Sequence, residues 1–169
     1  MQLVLASSSN YRKALLQRLA LPFVSASPEI DETAALAETA HALSDRLALA
    51  KAQKLATDFP DALIIGSDQA CWCDGRILGK PGTFAVAREQ LLHCSGKTAE
   101  FHTALALLNT RTGVCMQSHD SFIVKFRTLT VTEIEYYLQQ EQPYDCAGSF
   151  KAEGSGHCAV HWYERQGFS

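Results

Sequence analysis

Residues 63 to 74 read LIIGSDQACWCD. The run Ala62 to Ile65 has the apolar character of a strand buried on both faces, and it stops at Ser67-Asp68-Gln69 before two cysteines that flank a tryptophan. A carboxylate just past the end of a buried strand sits where α/β folds collect ligands, outside the carboxyl ends of the strands. Such an acid can bind a metal or activate water, or it can cap a turn. Asp74-Gly75 beyond it reads as a tight turn, so residues 70–73 and 76–78 are expected to pair as a hairpin.

Upstream, Gln2 to Ala6 is a short apolar strand, and Ser7-Ser8-Ser9-Asn10 is good helix-capping material. The segment YRKALLQRLALPF carries apolar residues at 14, 15, 16 and 19, a helical spacing, and Pro22 ends it. A second strand near FVSAS leads into a loop with Pro28, Asp31 and Glu32. From about Glu38 to Phe59 a long helix is expected, with Leu43, Leu47, Ala50 and Leu55 as its stripe and Lys51 and Lys54 near its edges.

Downstream, Gly79-Lys80-Pro81-Gly82 is a loop, and Thr83 caps a helix to about His93. Strands follow at His102–Leu108 and Val114–Phe126, joined by NTRTG. Thr130 and Glu133 have capping-box spacing and open a helix to about Gln140. Helices and strands alternate early and a hairpin sits late, which reads as α/β with a mixed sheet.

The length of 169 residues suits one domain, or one domain with a small lobe. Hydrophobic residues make up 47% and charged residues 20%, as in soluble globular proteins. The net charge of −3 gives no broad basic field, so no nucleic-acid partner is expected. The apolar start QLVLA runs into SSSNYRK without a cleavage pattern, and no run approaches the roughly 20 apolar residues that span a bilayer. A cytoplasmic protein without membrane partners is the expectation. Six cysteines are scattered, none in C-x-x-C. Cys71 and Cys73 are too close for the usual zinc spacing and share a face, so they read as reduced, semi-buried small hydrophobes. The six histidines show no pairing in the sequence.

Several residues carry candidate chemistry. The stretch LASSSNYRK places hydroxyls and free backbone amides at a helix start, followed by Arg12 and Lys13, an arrangement that suits phosphate. Serines and arginines also begin many helices that bind nothing. Lys80 in Gly-Lys-Pro, and Lys51 on the long helix, can hold phosphate or simply be solvated. Glu32 beside Asp31 leaves metal binding and solvation both open.

The order of these signals is more specific than any one of them. LASSSNYRKALL, EIDET, LALAKAQKLA, LIIGSDQ, ILGKP and CAGSFKAEG, spread over residues 3 to 154, resemble the Maf family of nucleotide pyrophosphatases. Gln69 and the CAGSFKAEG segment look most like the subgroup that hydrolyses 7-methyl-GTP, since members specific for dTTP and UTP typically carry Thr where Gln69 stands. The resemblance implies a fold similar to the inosine triphosphate pyrophosphatases, a long mixed sheet flanked by helices with a cleft between two lobes. It implies cleavage of a nucleoside triphosphate between the α and β phosphates, with a divalent cation, Mg2+ or Mn2+. Homodimers are common in the family.

Roles follow from the same resemblance. Ser7, Ser9 and Arg12 would grip phosphates, the guanidinium fork bonding two oxygens at once. Lys51 and Lys80 would neutralise the departing pyrophosphate. Glu32 and Asp68 would hold the metal, and Asp68 is also the expected base. Tyr11, Gln69 and Glu153 match positions that tune base choice: Tyr11 can stack on a cationic methylated guanine, and Glu153 can accept from guanine N–H groups. Tyr11 stands where Trp is frequent in the subgroup, and Asn10 where Pro is usual.

The last residues depart from the family. After SFKAEG, Maf proteins run into G-I-x-L-F, then G-R-D, then N-T-L-V-G-L-P, whereas this chain reads SGHCAVHWYERQGFS. Codons allowed for GHCAVHWYERQGFS, read one base later, can spell G-I-A-L-F-T-G-M-N-G-R-D-F, so a shifted reading frame accounts for the change. The expectation is a Maf-like domain over residues 1–154 and an aberrant tail over 155–169 replacing the terminal strand and helix. Exposed apolar faces are the expected consequence, and the His157/His161 spacing reads as accident. Two rivals remain: a catalytically inactive nucleotide-binding regulator of the same fold, related to cell division, and a thiol-metal protein using Cys71, Cys73 and the tail.

Overall fold

The opening QLVLA forms β1 (Gln2–Ala6), and its periodic neighbours follow in order. A computed structural model describes residues 1–152 and 160–166 of the chain. These fall into two units, one built from Met1–Asp68 and Thr103–His119, the other from Gln69–His102 and Asp120–Ser169.

In the first unit, β1 pairs in parallel with β2 (Val24–Ala26) and with the beginning of β3 (Ala62–Cys73), in a register that sets Ala6 opposite Gly66. Helix α1 (Asn10–Gln17) is capped by Ser9, whose side chain accepts from the Arg12 amide. Helix α2 (Ala40–Lys54) is capped by Thr39 and buries Ala40, Leu43, Ser44, Leu47, Ala48, Lys51 and Ala52, a single face at helical spacing. The core beneath it is made of small residues: Ala6, Ala48, Ala52, Ala62, Ala104 and Ala106 join Val4, Ile64, Leu55 and Leu108. Helix and strand approach so closely that a Cβ on Gly66 would lie 2.0 Å from the Ala48 carbonyl oxygen and 2.9 Å from the Ala52 nitrogen.

Three sequence expectations change here. The strand does not stop at Ile65: β3 runs for 12 residues straight through Ser67, Asp68 and Gln69, because Gly66 gives α2 room to cover the strand without interrupting its ladder. Lys51 is not at the edge of α2 but on its buried face, 3% exposed. The helix itself is shorter than expected, Ala40–Lys54 rather than about 38 to 59.

In the second unit the end of β3 turns back through Asp74 and Gly75, both at positive φ (46° and 81°), into β4 (Arg76–Leu78). That is the mirror-image turn which matches strand twist. Helix α3 (Phe84–Cys94) is capped by Thr83, and α4 (Val131–Glu141) by a full capping box of Thr130 and Glu133. Strand β5 (Thr98–Asn109) is longer than the expected His102–Leu108, β6 (Cys115–Phe126) nearly matches its expected span, and each contributes residues to both units. The core is bulky: Leu91, Phe101, Phe126, Ile134, Leu138 and Phe150 surround Cys71, Cys73 and Cys94.

The sheet continues past β6. Strand β7 (Val160–Gln166) pairs antiparallel with it, Ser121 opposite Gln166 and Phe126 opposite Val160. Backbone hydrogen bonding needs no apolar periodicity, which is why the sequence pattern gave no sign of this strand. Among the described residues the strand order is β2-β1-β3-β5-β6-β7, with β4 attached to β3. Parallel pairs at β1 and antiparallel pairs at β4 and β7 make the sheet mixed, as expected. Among the described residues no helix is long and apolar enough to cross a membrane.

Candidate active site

Four charged side chains of the first unit define the site. Lys51 Nζ donates to Asp68 Oδ1 at 2.6 Å and pairs with Glu32 Oε1 at 2.7 Å. The Lys51 and Asp68 side chains are 4% and 8% exposed, while Glu32 is 44% exposed. Gly66 and Asp68 are two residues apart in β3 and so face the same way. The close approach that Gly66 permits under α2 is what brings Lys51, one turn beyond Leu47, onto the carboxylate.

Arg12 completes the group. Burial pulls its guanidinium below the ordinary value, and the charges of Asp68 and Glu32 oppose that. Asp68 shifts the other way: burial raises it above the usual carboxylate range, against the pull of Lys51 and Arg12. Two cations and two carboxylates balance, and one carboxylate is poised toward proton acceptance. A buried ion pair is poor evidence for stability, since desolvation offsets most of the attraction.

The loop leading into α1 is fixed by its serines. The Ser9 amide donates to Ser7 Oγ at 3.1 Å, the Arg12 amide to Ser9 Oγ at 3.4 Å, and Ser25 Oγ to the Ser7 carbonyl at 2.7 Å. Ser7 is buried, and the helix start it anchors presents amides of the kind that receive anions. Glu32 is placed by residues that sequence reading overlooked. The Thr33 amide donates to Asp31 Oδ1 at 2.9 Å, and Arg46 Nη2 holds the Thr33 carbonyl at 3.0 Å. Arg46 also grips both oxygens of Glu38, at 2.7 and 2.8 Å, and this pairing holds the Glu38 carboxyl at about 2. No motif marks Arg46 and Glu38, because their contact is made across a loop and a helix turn.

Ser7, Ser9, Arg12, Glu32, Lys51 and Asp68 thus belong to one unit, and ion pairs or charge coupling join the last four. Tyr11 is half-buried on α1 of the same unit. Gln69 and Lys80 belong to the second unit, where both are exposed. Glu153, His157 and Cys158 lie outside the described residues. Cys71, Cys73 and Cys94 are fully buried, and burial pushes each thiol upward. That is the opposite of what a thiolate ligand or nucleophile needs. The histidines correct the sequence reading: His41 and His119 stack at a centroid distance of 3.8 Å, and both contact Asp45.

The donor set of Glu32 and Asp68 is all oxygen, and Lys51 engages one oxygen of each carboxylate. Hard carboxylate donors fit Mg2+ or Mn2+ and do not select softer ions.

A mixed α/β sheet carries a serine-fixed helix start, a buried Lys–Asp pair and an arginine coupled to it, a set whose chemistry suits a multiply charged anion. The sequence profile of the Maf-like proteins matches residues 2–168. The chain is 57% identical over 154 residues to the 7-methyl-GTP pyrophosphatase of Pseudomonas fluorescens. It is also 57% identical to the protein of that name from Pseudomonas savastanoi pv. phaseolicola, and 56% to that from Pseudomonas syringae pv. tomato. Each match covers 91% of this chain and 80% of the relative. The chain belongs to the Maf family.

Proposed function

We propose that this protein hydrolyses a modified nucleoside triphosphate, 7-methyl-GTP, to the nucleoside monophosphate and pyrophosphate. The observation that carries the reading is the 57% identity to relatives named for that reaction, together with the Arg12–Glu32–Lys51–Asp68 cluster.

Cleavage between the α and β phosphates needs water activated at the α phosphorus and a stabilised pyrophosphate leaving group. Asp68 takes the proton from the attacking water. Its burial raises its proton affinity, which favours that transfer. The P–O bond to the β phosphate breaks and its electron pair leaves with pyrophosphate. Arg12 and Lys51 neutralise the charge that builds there, and Lys80 joins them from the Gly-Lys-Pro loop. Ser7 and Ser9 orient phosphate oxygens at the start of α1. Glu32 and Asp68 would hold a divalent cation, which would supply charge neutralisation for the triphosphate. On this reading substrate phosphate competes with Glu32 and Asp68 for Lys51, so nucleotide binding loosens the ion pair. Tyr11, Gln69 and Glu153 select the base.

Residues 155–169 we read as a segment standing in place of the family's terminal strand and helix. The test compares the protein, its Asp68→Asn variant and a version with a family-like ending, each incubated with 7-methyl-GTP, GTP, dTTP and UTP plus Mg2+ or Mn2+. Pyrophosphate release from 7-methyl-GTP is expected, falling about 10²–10⁴-fold in Asp68→Asn while the variant stays folded. Equal rates in protein and variant would remove Asp68 from the chemistry. Silence in every version would overturn the enzyme reading.

A further inference from the structure

His41 lies in the first turn of α2, and Asp45 follows one turn later on the same side. His119 comes from β6. All three belong to the first unit. His41 Nδ1 is 3.3 Å from Asp45 Oδ2, and His119 Nδ1 is 2.9 Å from Asp45 Oδ1. Each carboxylate oxygen therefore meets one imidazole. The rings stack 3.8 Å apart at 28°, and one ligand atom from each of the three residues falls within a 4.8 Å cluster.

The surroundings hold this arrangement. Ser44 Oγ donates to the His41 carbonyl at 2.9 Å, and Gln117 Nε2 to the Asp45 carbonyl at 3.4 Å. The His119 side chain is 18% exposed and Asp45 35%, so the group is accessible yet partly desolvated. Each imidazole offers a nitrogen lone pair in the plane of its ring, and Asp45 offers a carboxylate oxygen, so the three ligand atoms can converge on a single ion.

We propose that His41, Asp45 and His119 form a metal site separate from the Glu32–Asp68 pair, one that takes a borderline divalent ion such as Zn2+, Co2+ or Ni2+. Two imidazoles and a carboxylate suit that class, while Mg2+ prefers an all-oxygen shell with retained water. The two sites of the chain would thus sort metals by ligand chemistry. An ion here would clamp α2 to β6, and α2 is the helix that carries Lys51. Binding to the folded state alone raises thermal stability with metal concentration. This inference stands apart from the proposed reaction and needs no turnover to test.

The experiment is calorimetric titration of chelator-treated protein with Zn2+ and, in parallel, Mg2+, together with Co2+ absorption and thermal unfolding. One Zn2+ per chain is expected at this site, with Co2+ bands free of thiolate charge transfer. Affinity should weaken about tenfold or more in His119→Gln and Asp45→Asn, and the Zn2+-dependent rise in Tm should disappear. His41 is the most exposed member at 55%, so His41→Asn serves if another variant fails to fold. Binding should survive in Asp68→Asn, in Cys115→Ser and in the double variant His157→Ala, His161→Ala. Undiminished Zn2+ affinity in the His41 and His119 variants would overturn the proposal. So would no Zn2+ binding at all, or loss of binding in any of the three control variants.

Discussion

The two units are packed on different principles. The first has a core of alanines with a few aliphatic residues, and it buries Ser7, Ser44, Lys51, Ser67 and Asp68. The second is filled by Phe, Leu, Ile, Tyr and Cys side chains, and Ser149 is its one fully buried polar side chain among the described residues. Alanine and Gly66 let a helix lie almost on the sheet, and that tight contact excludes water around a lysine and a carboxylate. Among the described residues of the second unit, no charged side chain is buried. The first unit's buried residues thus include polar and charged groups, and the second's are almost all apolar.

Truncation in the second unit should carry the largest stability cost. Phe126 is 1% exposed and meets the Phe150 ring edge-on at 5.5 Å. Phe126→Ala should lose about 3–5 kcal/mol in denaturant unfolding, and the loss should be the same in mild acid and at neutrality. Lys51→Met should cost about 3 kcal/mol, because Asp68 is left buried without its closest cation. Here pH separates the two regions. Without Lys51, the Asp68 pKa rises further above its ordinary value. A raised carboxylate favours the folded state below the unfolded value, and that advantage is lost as pH climbs through the folded one. The Lys51→Met deficit should therefore be small in acid and full at neutral pH. A flat pH profile for this variant would show that the Lys51–Asp68 pair has no electrostatic role in folding.

Gly66→Ala tests the close approach directly. The new methyl meets backbone atoms of Ala48 and Ala52, so α2 must shift. A loss of about 1–3 kcal/mol is expected, together with reduced pyrophosphate release as Lys51 moves from Asp68. A stable, fully active variant would mean that the spacing is not what assembles the site. The smallest effect should come from the α4 cap: Thr130→Ala should cost about 1 kcal/mol and leave activity unchanged. Glu133 shares that cap, and the Thr130 amide and hydroxyl and Arg127 hold its carboxyl at about 2. Its stabilisation is present above its ordinary range and fades as pH falls toward that value. Acid titration of unfolding in the wild-type chain and in Thr130→Ala should converge there.

Much of this was legible in the chain because it is local. Ser9, Thr83 and Thr130 cap helices that the sequence predicts, and Asp74-Gly75 makes the predicted hairpin. Short-range rules act within four residues, so one sequence suffices. The candidate residues Ser7, Ser9, Arg12, Glu32, Lys51 and Asp68 rest on the order of the motifs and on the family resemblance. The burial of Lys51 was misread because a charged residue on an apolar face is assigned to the edge by pattern alone.

What the sequence determined by itself is the α/β alternation, the capped helices and the family. Tertiary structure alone decided the continuity of β3 through Asp68, the hold of Arg46 on the Glu32 loop, the meeting of His41 with His119, and the pairing of the tail with β6. Most of these depend on groups far apart in the chain, and in the first unit they are brought together by how closely α2 and the strands can pack. That distance is set by the side chains of both partners at once, and no single segment carries it.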